Sequence, residues 1–261
     1  MSWEKEKEQI DFEEPDHGYP DDLEEYRPTR RLLFRLAALF TVLAFTGLLA
    51  FTYWPGAYAP IMELVSESQR NKKSVDRQLL QAVVKIEVVS RKEGSSFAVG
   101  QKSGTGFNIS SGGLIVTNYH VVRDALTIAV TFPDGKIYGT ARWSGKPEYD
   151  LALITLNKAN LPTVPLNMSR PPEAGDPVKI VGNPLGLNNI VIQGEVQRYL
   201  TVQGQRVFSI DAPIYPGNSG SPVYDRDGKV VGVIFGVLRG DRAENTSGLG
   251  LAVPIADILK V

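Results

Sequence analysis

The sequence has no cysteine and only two histidines in 261 residues. Without cysteine there is no thiol nucleophile, no Cys-based zinc site and no disulfide scaffold. The compartment stays open, because oxidising compartments permit disulfides without requiring them. Charge is balanced as well, with 28 Lys and Arg against 29 Asp and Glu and a net charge of -1. That excludes the basic footprint of a nucleic-acid binder. The scarcity of histidine narrows any imidazole chemistry to His17 or His120. His17 lies in an acidic tail, so His120 is the single candidate base in the part of the chain that reads as folded.

The length and the 43% hydrophobic content suit one sizeable domain with appendages. Residues 1–31 hold 11 acidic and 5 basic residues, with Pro15 and Pro20 and no sustained apolar period. They read as a disordered acidic tail. From Leu36 to Trp54 the chain runs 19 residues without a charge. As a helix this run measures roughly 28 Å, close to the hydrocarbon thickness of a bilayer. Arg27, Arg30, Arg31 and Arg35 precede it, and no Lys or Arg follows until Arg70. The positive-inside rule then predicts a single membrane-spanning helix over 32–54, with the tail in the cytoplasm and everything after it across the membrane. A cleaved signal peptide fits less well, since the apolar run is long and starts late. Residues 55–74 read as a linker that turns helical towards Leu79.

From Val75 to Val261 the pattern changes to short runs rich in Val and Ile, such as VVKIEVV, LTIAVTF, DLALITL, IVIQGEV and VVGVIFGV. Gly, Pro, Asp and Asn separate them. Alternation in IVIQGEV and VTFPDGKIYG marks half-buried strands joined by turns. Many short strands without intervening helices predict an all-β domain, either a closed barrel or a sandwich. IADILKV at the end is the one short helical candidate.

Three residues within this domain carry chemistry when taken together. His120 follows the strand LIVT in TNYHVV, at a polar turn. Asp150 comes 30 residues later, just before the apolar strand LALI. Ser219 comes 69 residues after that, in the turn Pro216-Gly217-Asn218-Ser219-Gly220. In a nucleophilic triad the histidine takes the serine proton, the aspartate holds the imidazole tautomer, and the serine attacks a carbonyl. The two glycines permit a tight turn that can aim the N–H groups of Gly217 and Ser219 at one spot, where an oxyanion would form.

At these residues the chain resembles the HtrA/Deg group of chymotrypsin-fold serine proteases. The resemblance runs through SGTGFNISSGGLIVTNYHVV, PEYDLALITL, VKIVGNPLGL, VIQGEV, DAPIYPGNSGSPV and GLGLAVPI. It implies two six-stranded β-barrels with the active site in the cleft between them. It also implies that Ile214, Tyr215, Ile234, Phe235, Gly236, Leu251 and Ala252 line the substrate pocket. None of these is charged, so a small or medium aliphatic side chain is expected on the acyl side of the cleaved bond. The chain departs from the family in ending where a PDZ domain usually begins. It has Ser221 where the family has a second glycine, and only a short loop between VVKIEVV and GTGF. Asn218 stands where secreted trypsin-like enzymes carry the aspartate that pairs with a freed N-terminus, so no proteolytic maturation is expected.

The resulting expectation is a membrane-tethered serine endopeptidase on the periplasmic side of a bacterial inner membrane. It acts on protein or peptide substrates and needs no metal or organic cofactor. The competing readings are a catalytically silent protease-fold module and an esterase using the same triad.

Overall fold

The computed structural model describes residues 30–53, 55–91, 99–238 and 249–261. Residues 1–29 of the acidic tail, with His17, lie outside the described residues. The chain divides into two compact units, 1–57 and 58–261. In the first, α1 (Arg30–Tyr53) covers the predicted apolar helix. Its described side chains run from Leu32 to Leu48 and all are exposed, including Leu36, Phe40, Leu43 and Phe45. Among the described residues no helix is long and apolar enough to cross a membrane. The rest of the predicted span, from residue 49 to Trp54, lies outside the described side chains.

The stretch read as a linker is helical as α2 (Pro55–Lys72). Its second half is anchored. Leu64 is buried in the core of the second barrel, the Ser68 hydroxyl accepts the N–H of Val191 at 3.0 Å, and the Asn71 amide donates to the carbonyl of Val191. A short helix, α3 (Arg77–Gln81), follows, with Asp76 capping the N–H of Gln78 at 2.8 Å.

The expected all-β, chymotrypsin-like domain is present. The first half contains β1 (Val83–Arg91), β2 (Val99–Asn108), β3 (Leu114–Thr117), β4 (Ala125–Thr131), β5 (Ile137–Thr140), β6 (Trp143–Lys146) and β7 (Leu151–Thr155). The second half contains β8 (Pro177–Gly182), β9 (Ile190–Val202), β10 (Gln205–Asp211), β11 (Pro222–Tyr224), β12 (Val230–Leu238) and β13 (Leu249–Pro254). This second set closes into a six-stranded barrel in the order β10-β13-β12-β11-β8-β9. The first set does not match the expected six-stranded barrel. It is a seven-stranded sheet in the order β5-β4-β1-β2-β3-β7-β6, with β5 and β6 as unjoined edges. The reason lies at the short link between those edges. The Arg142 carbonyl accepts from Thr155 on β7 at 3.0 Å, and the Thr140 hydroxyl donates to the Thr155 carbonyl at 3.1 Å. The link thus continues the β6–β7 ladder, and among the described residues no β5–β6 pairing forms.

Alternation explains the cores. On β1, Val84, Ile86 and Val88 point into the first core with Ile115, Ile128, Val130 and Ile154, while Lys85 and Glu87 face out. The second core gathers Ile180, Ile192, Phe208, Ile210, Val223 and Ile234. A third cluster holds residues from both halves, including Phe107, Leu151, Val181 and Tyr224. The terminal segment 255–260 is a 3-10 helix.

Candidate active site

Strand register brings His120 to Asp150. β3 and β7 pair antiparallel with Thr117 opposite Ala152, so the residue after one strand meets the residue before the other. His120 sits in a one-turn helix, α4 (Tyr119–Val122). Asp150 ends the 3-10 turn Pro147–Tyr149 in a left-handed conformation, φ 47°. That conformation is uncommon for a non-glycine residue, and aspartate tolerates it better than most. It turns the carboxylate back onto the histidine. Asp150 Oδ2 lies 2.7 Å from His120 Nδ1, and Oδ1 accepts the main-chain N–H of His120 at 2.9 Å. The main chain of Asp150 is held as well, its carbonyl accepting from Tyr119 N at 3.1 Å and from the Asn118 amide at 2.9 Å. The His120 side chain is 43% exposed and that of Asp150 25%, so the pair opens to solvent.

With Asp150 accepting at Nδ1, the ring carries its proton there and presents the Nε2 lone pair outward. That is the tautomer a general base needs.

Ser219 stands in the loop between β10 and β11. Gly217 (φ 98°) and Gly220 (φ 86°) take conformations open to glycine. Space excludes a side chain at Gly220, where a Cβ would come 2.5 Å from Thr117 Oγ1 and closer still to the Thr105 carbonyl. At Gly217 it would come 2.7 Å from the Asn183 carbonyl. The loop meets the first half of the domain at β2. Thr105 N donates to the Ser219 carbonyl at 2.8 Å. A Cβ on Gly104 would lie 3.0 Å from Val121, the neighbour of His120, and 3.1 Å from the Ser219 carbonyl. Gly104 thus lets the histidine turn and the serine loop approach each other. Among the described residues Ser219 Oγ makes no hydrogen bond, to the His120 ring or to any other group. Such contacts often tighten only when substrate binds.

The N–H groups of Gly217 and Ser219 have no acceptor among the described residues. Free donors on either side of Asn218 are what an oxyanion site requires. Asn218 itself is fully buried, and its amide has no partner among the described residues.

The seven residues expected at the substrate pocket separate into groups. Ile214 lies across Gly250, with Cγ1 2.7 Å from where a Cβ of that glycine would stand. It and Tyr215 are partly buried. Open space surrounds the Cβ direction of Gly236. The side chains of Ile234 and Ala252 are 1% and 0% exposed in the second core, so they can meet a peptide only through their main chain. Leu251 is buried, and Phe235 packs on the third cluster, displaced by the register shift between Ile234 and Gly236. Sequence reasoning missed Thr105, Asn118 and Asn183. The available signal was a polar residue between two glycines or beside a turn, with its partners far away in the chain.

One open seven-stranded sheet and one closed six-stranded barrel give the chain the chymotrypsin-like fold of serine proteases. Residues 104–233 match the family described as trypsin-like peptidase domain. Within that class the chain is HtrA-like. It is 39% identical over 157 residues to a protein of Chlamydia muridarum named probable periplasmic serine endoprotease DegP-like, covering 58% of this chain and 31% of that one. A serine endoprotease structure from Yersinia pestis superposes with a TM-score of 0.60 at 31% identity, covering 72% of this chain and 64% of that one. The HtrA-type protease AlgW, solved with a tripeptide, gives 0.61 at 27% identity, covering 70% and 60%. The chain spans about a third of the length of the first curated relatives it matches.

Proposed function

We propose that the chain is a serine endopeptidase that cuts protein or peptide substrates through His120, Asp150 and Ser219. The observation that carries this is the His120–Asp150 pair, bonded at 2.7 Å beside a serine loop with two free N–H groups. In the first step Ser219 Oγ attacks the scissile carbonyl carbon as its proton passes to His120 Nε2. Asp150 stabilises the imidazolium so formed. The carbonyl oxygen, now an oxyanion, is received by the N–H groups of Gly217 and Ser219. Collapse expels the amine, which takes the proton from His120 and leaves an acyl ester on Ser219. Water, deprotonated by His120, hydrolyses that ester.

Ile214 over Gly250 supports a shallow, uncharged pocket that takes small aliphatic side chains. A charged side chain there would lose its hydration without gaining a partner. For localisation, the arginines before the apolar segment and the periplasmic naming of the relative support a protease on the periplasmic face of a bacterial inner membrane, tethered through residues 32–54. Proteins of the cell envelope are then the accessible substrates.

The test is a fluorophosphonate probe and a quenched peptide library applied to full-length protein in detergent. Ser219 is expected to be labelled and peptides cleaved, with both lost in Ser219→Ala. Absence of labelling in the native chain would favour the silent protease-fold module.

A further inference from the structure

Four successive carbonyls, from Pro216 to Ser219, each accept a hydrogen bond. Pro216 O accepts from Leu185 N at 2.9 Å, Gly217 O from the Thr105 hydroxyl at 2.7 Å, Asn218 O from Ser221 N at 2.9 Å, and Ser219 O from Thr105 N at 2.8 Å. A peptide unit whose carbonyl is fixed has its N–H fixed on the opposite side. Three of these four bonds come from the main chain and follow from the fold. The fourth comes from a side chain.

Thr105 is completely buried on β2. Its hydroxyl also accepts the N–H of Asn183 at 2.9 Å, and its carbonyl accepts the hydroxyl of Thr117 at 2.8 Å, three residues before His120. The hydroxyl has a single proton, which goes to Gly217 O while the oxygen accepts from Asn183 N. The same residue ties together the strand leading to the histidine, the Asn183–Gly186 turn and the nucleophile loop.

We propose that Thr105 is a positioning residue for the reaction, a proposal that rests on the serine-protease reading above. By holding Gly217 O, it fixes the 217–218 peptide unit, which lies between the two units that carry the N–H groups of Gly217 and Ser219, and so limits the rotation of both. A loop free to rotate its 217–218 peptide would still bind the ground-state peptide through the pocket. It would stabilise the tetrahedral intermediate less, because that requires donors held in advance.

The experiment compares full-length protein carrying Thr105→Val, which keeps the shape and removes the hydroxyl, with Thr105→Ser, which keeps the hydroxyl. Steady-state peptide cleavage and inhibition by a peptide boronic acid, which mimics the tetrahedral intermediate, are measured beside the melting temperature. Removing one oxyanion donor outright costs about 10²–10³-fold in kcat, so loosening the loop is expected to cost about 10–100-fold. For Thr105→Val this loss should fall on kcat with KM within about twofold, and boronic acid affinity should drop in parallel. Thr105→Ser should restore both to within about threefold of native. If Thr105→Val does not fold, Thr105→Cys carries the test, with a weak donor of similar size. Native activity in Thr105→Val, a loss confined to KM, or a Thr105→Ser as impaired as Thr105→Val would each overturn the clamp while leaving the protease reading intact. A native chain that neither cleaves nor takes label would overturn both.

Discussion

Asp150 holds His120 at two points, through Oδ2 on the ring Nδ1 at 2.7 Å and through Oδ1 on the main-chain N–H at 2.9 Å. Both partners are donors in the catalytic tautomer, and only a carboxylate accepts at both of its atoms. The asparagine amide of Asp150→Asn has one acceptor oxygen. The main-chain N–H cannot change its role, so that oxygen goes to it, and the amide NH₂ faces the ring. The ring must then accept at Nδ1 and carry its proton on Nε2, where it can no longer take the serine proton. Asp150→Asn is expected to lower kcat by about 10⁴-fold with little change in melting temperature. Turnover within tenfold of native, measured on the best library peptide, would remove Asp150 from the mechanism.

The contact of Ile214 with Gly250 makes a prediction about specificity. Native enzyme is expected to cut after Val, Ala, Leu or Ile and hardly at all after Arg, Lys, Asp or Glu. Ile214→Ala removes the branch lying across Gly250 and deepens the space beneath. The ratio of kcat/KM for Phe over Val should then rise by about tenfold or more, since each methylene of misfit is worth roughly 10–200-fold. Profiling the peptide library with both proteins reads this out. A dominant basic or acidic preference in the native enzyme would show that other residues form the pocket.

The arginine cluster at 27, 30, 31 and 35 yields a test of topology. A reporter active only outside the cytoplasm should work when fused after Val261 and fail when fused before Trp3. The reverse pattern would refute the positive-inside argument for this chain and the proposed localisation with it.

The His120–Asp150 contact was legible in the sequence because it follows from local rules. Each residue abuts a short apolar strand, and antiparallel pairing of those strands brings their ends together. The support of the serine was not legible. Thr105 and Gly217 are 112 positions apart and meet only because the two halves of the domain pack, which no local pattern encodes. Strand alternation told which residues share a face but not which face is core, and the register shift after Ile234 moves Phe235 away from a simple alternation. The helical character of 55–72 was hidden for a different reason. Its packed face is Leu64, Ser68 and Asn71, spaced as a helix requires, but two of the three are polar and serve Val191 by hydrogen bonds. Hydrophobic periodicity does not see such a face. The open edge between β5 and β6 likewise depends on a few hydrogen bonds at Thr140 and Arg142.

Tyr224 gives a prediction about stability. Its ring belongs to the third cluster, it is 2% exposed, and among the described residues its hydroxyl has no hydrogen-bond partner. A buried hydroxyl without a partner has given up its hydration for nothing, so Tyr224→Phe is expected to leave stability at pH 7.5 unchanged or raise it by up to about 1 kcal/mol. Burial also pushes the phenol well above its ordinary value, because the phenolate would be desolvated. The unfolded chain ionises this tyrosine near pH 10. The folded state keeps its proton to higher pH, so the stability linked to that proton is complete below about pH 10 and is lost progressively as pH rises towards the folded value. Native protein should therefore lose stability above pH 10 by up to about 1.4 kcal/mol per pH unit from this residue, and Tyr224→Phe should lose less. Melting temperatures of full-length protein in detergent at pH 7.5 and 10.5 measure the difference. A variant that is clearly less stable at pH 7.5 would mean that the hydroxyl makes a bond the fold relies on, and equal alkaline losses in the two proteins would remove Tyr224 as their source.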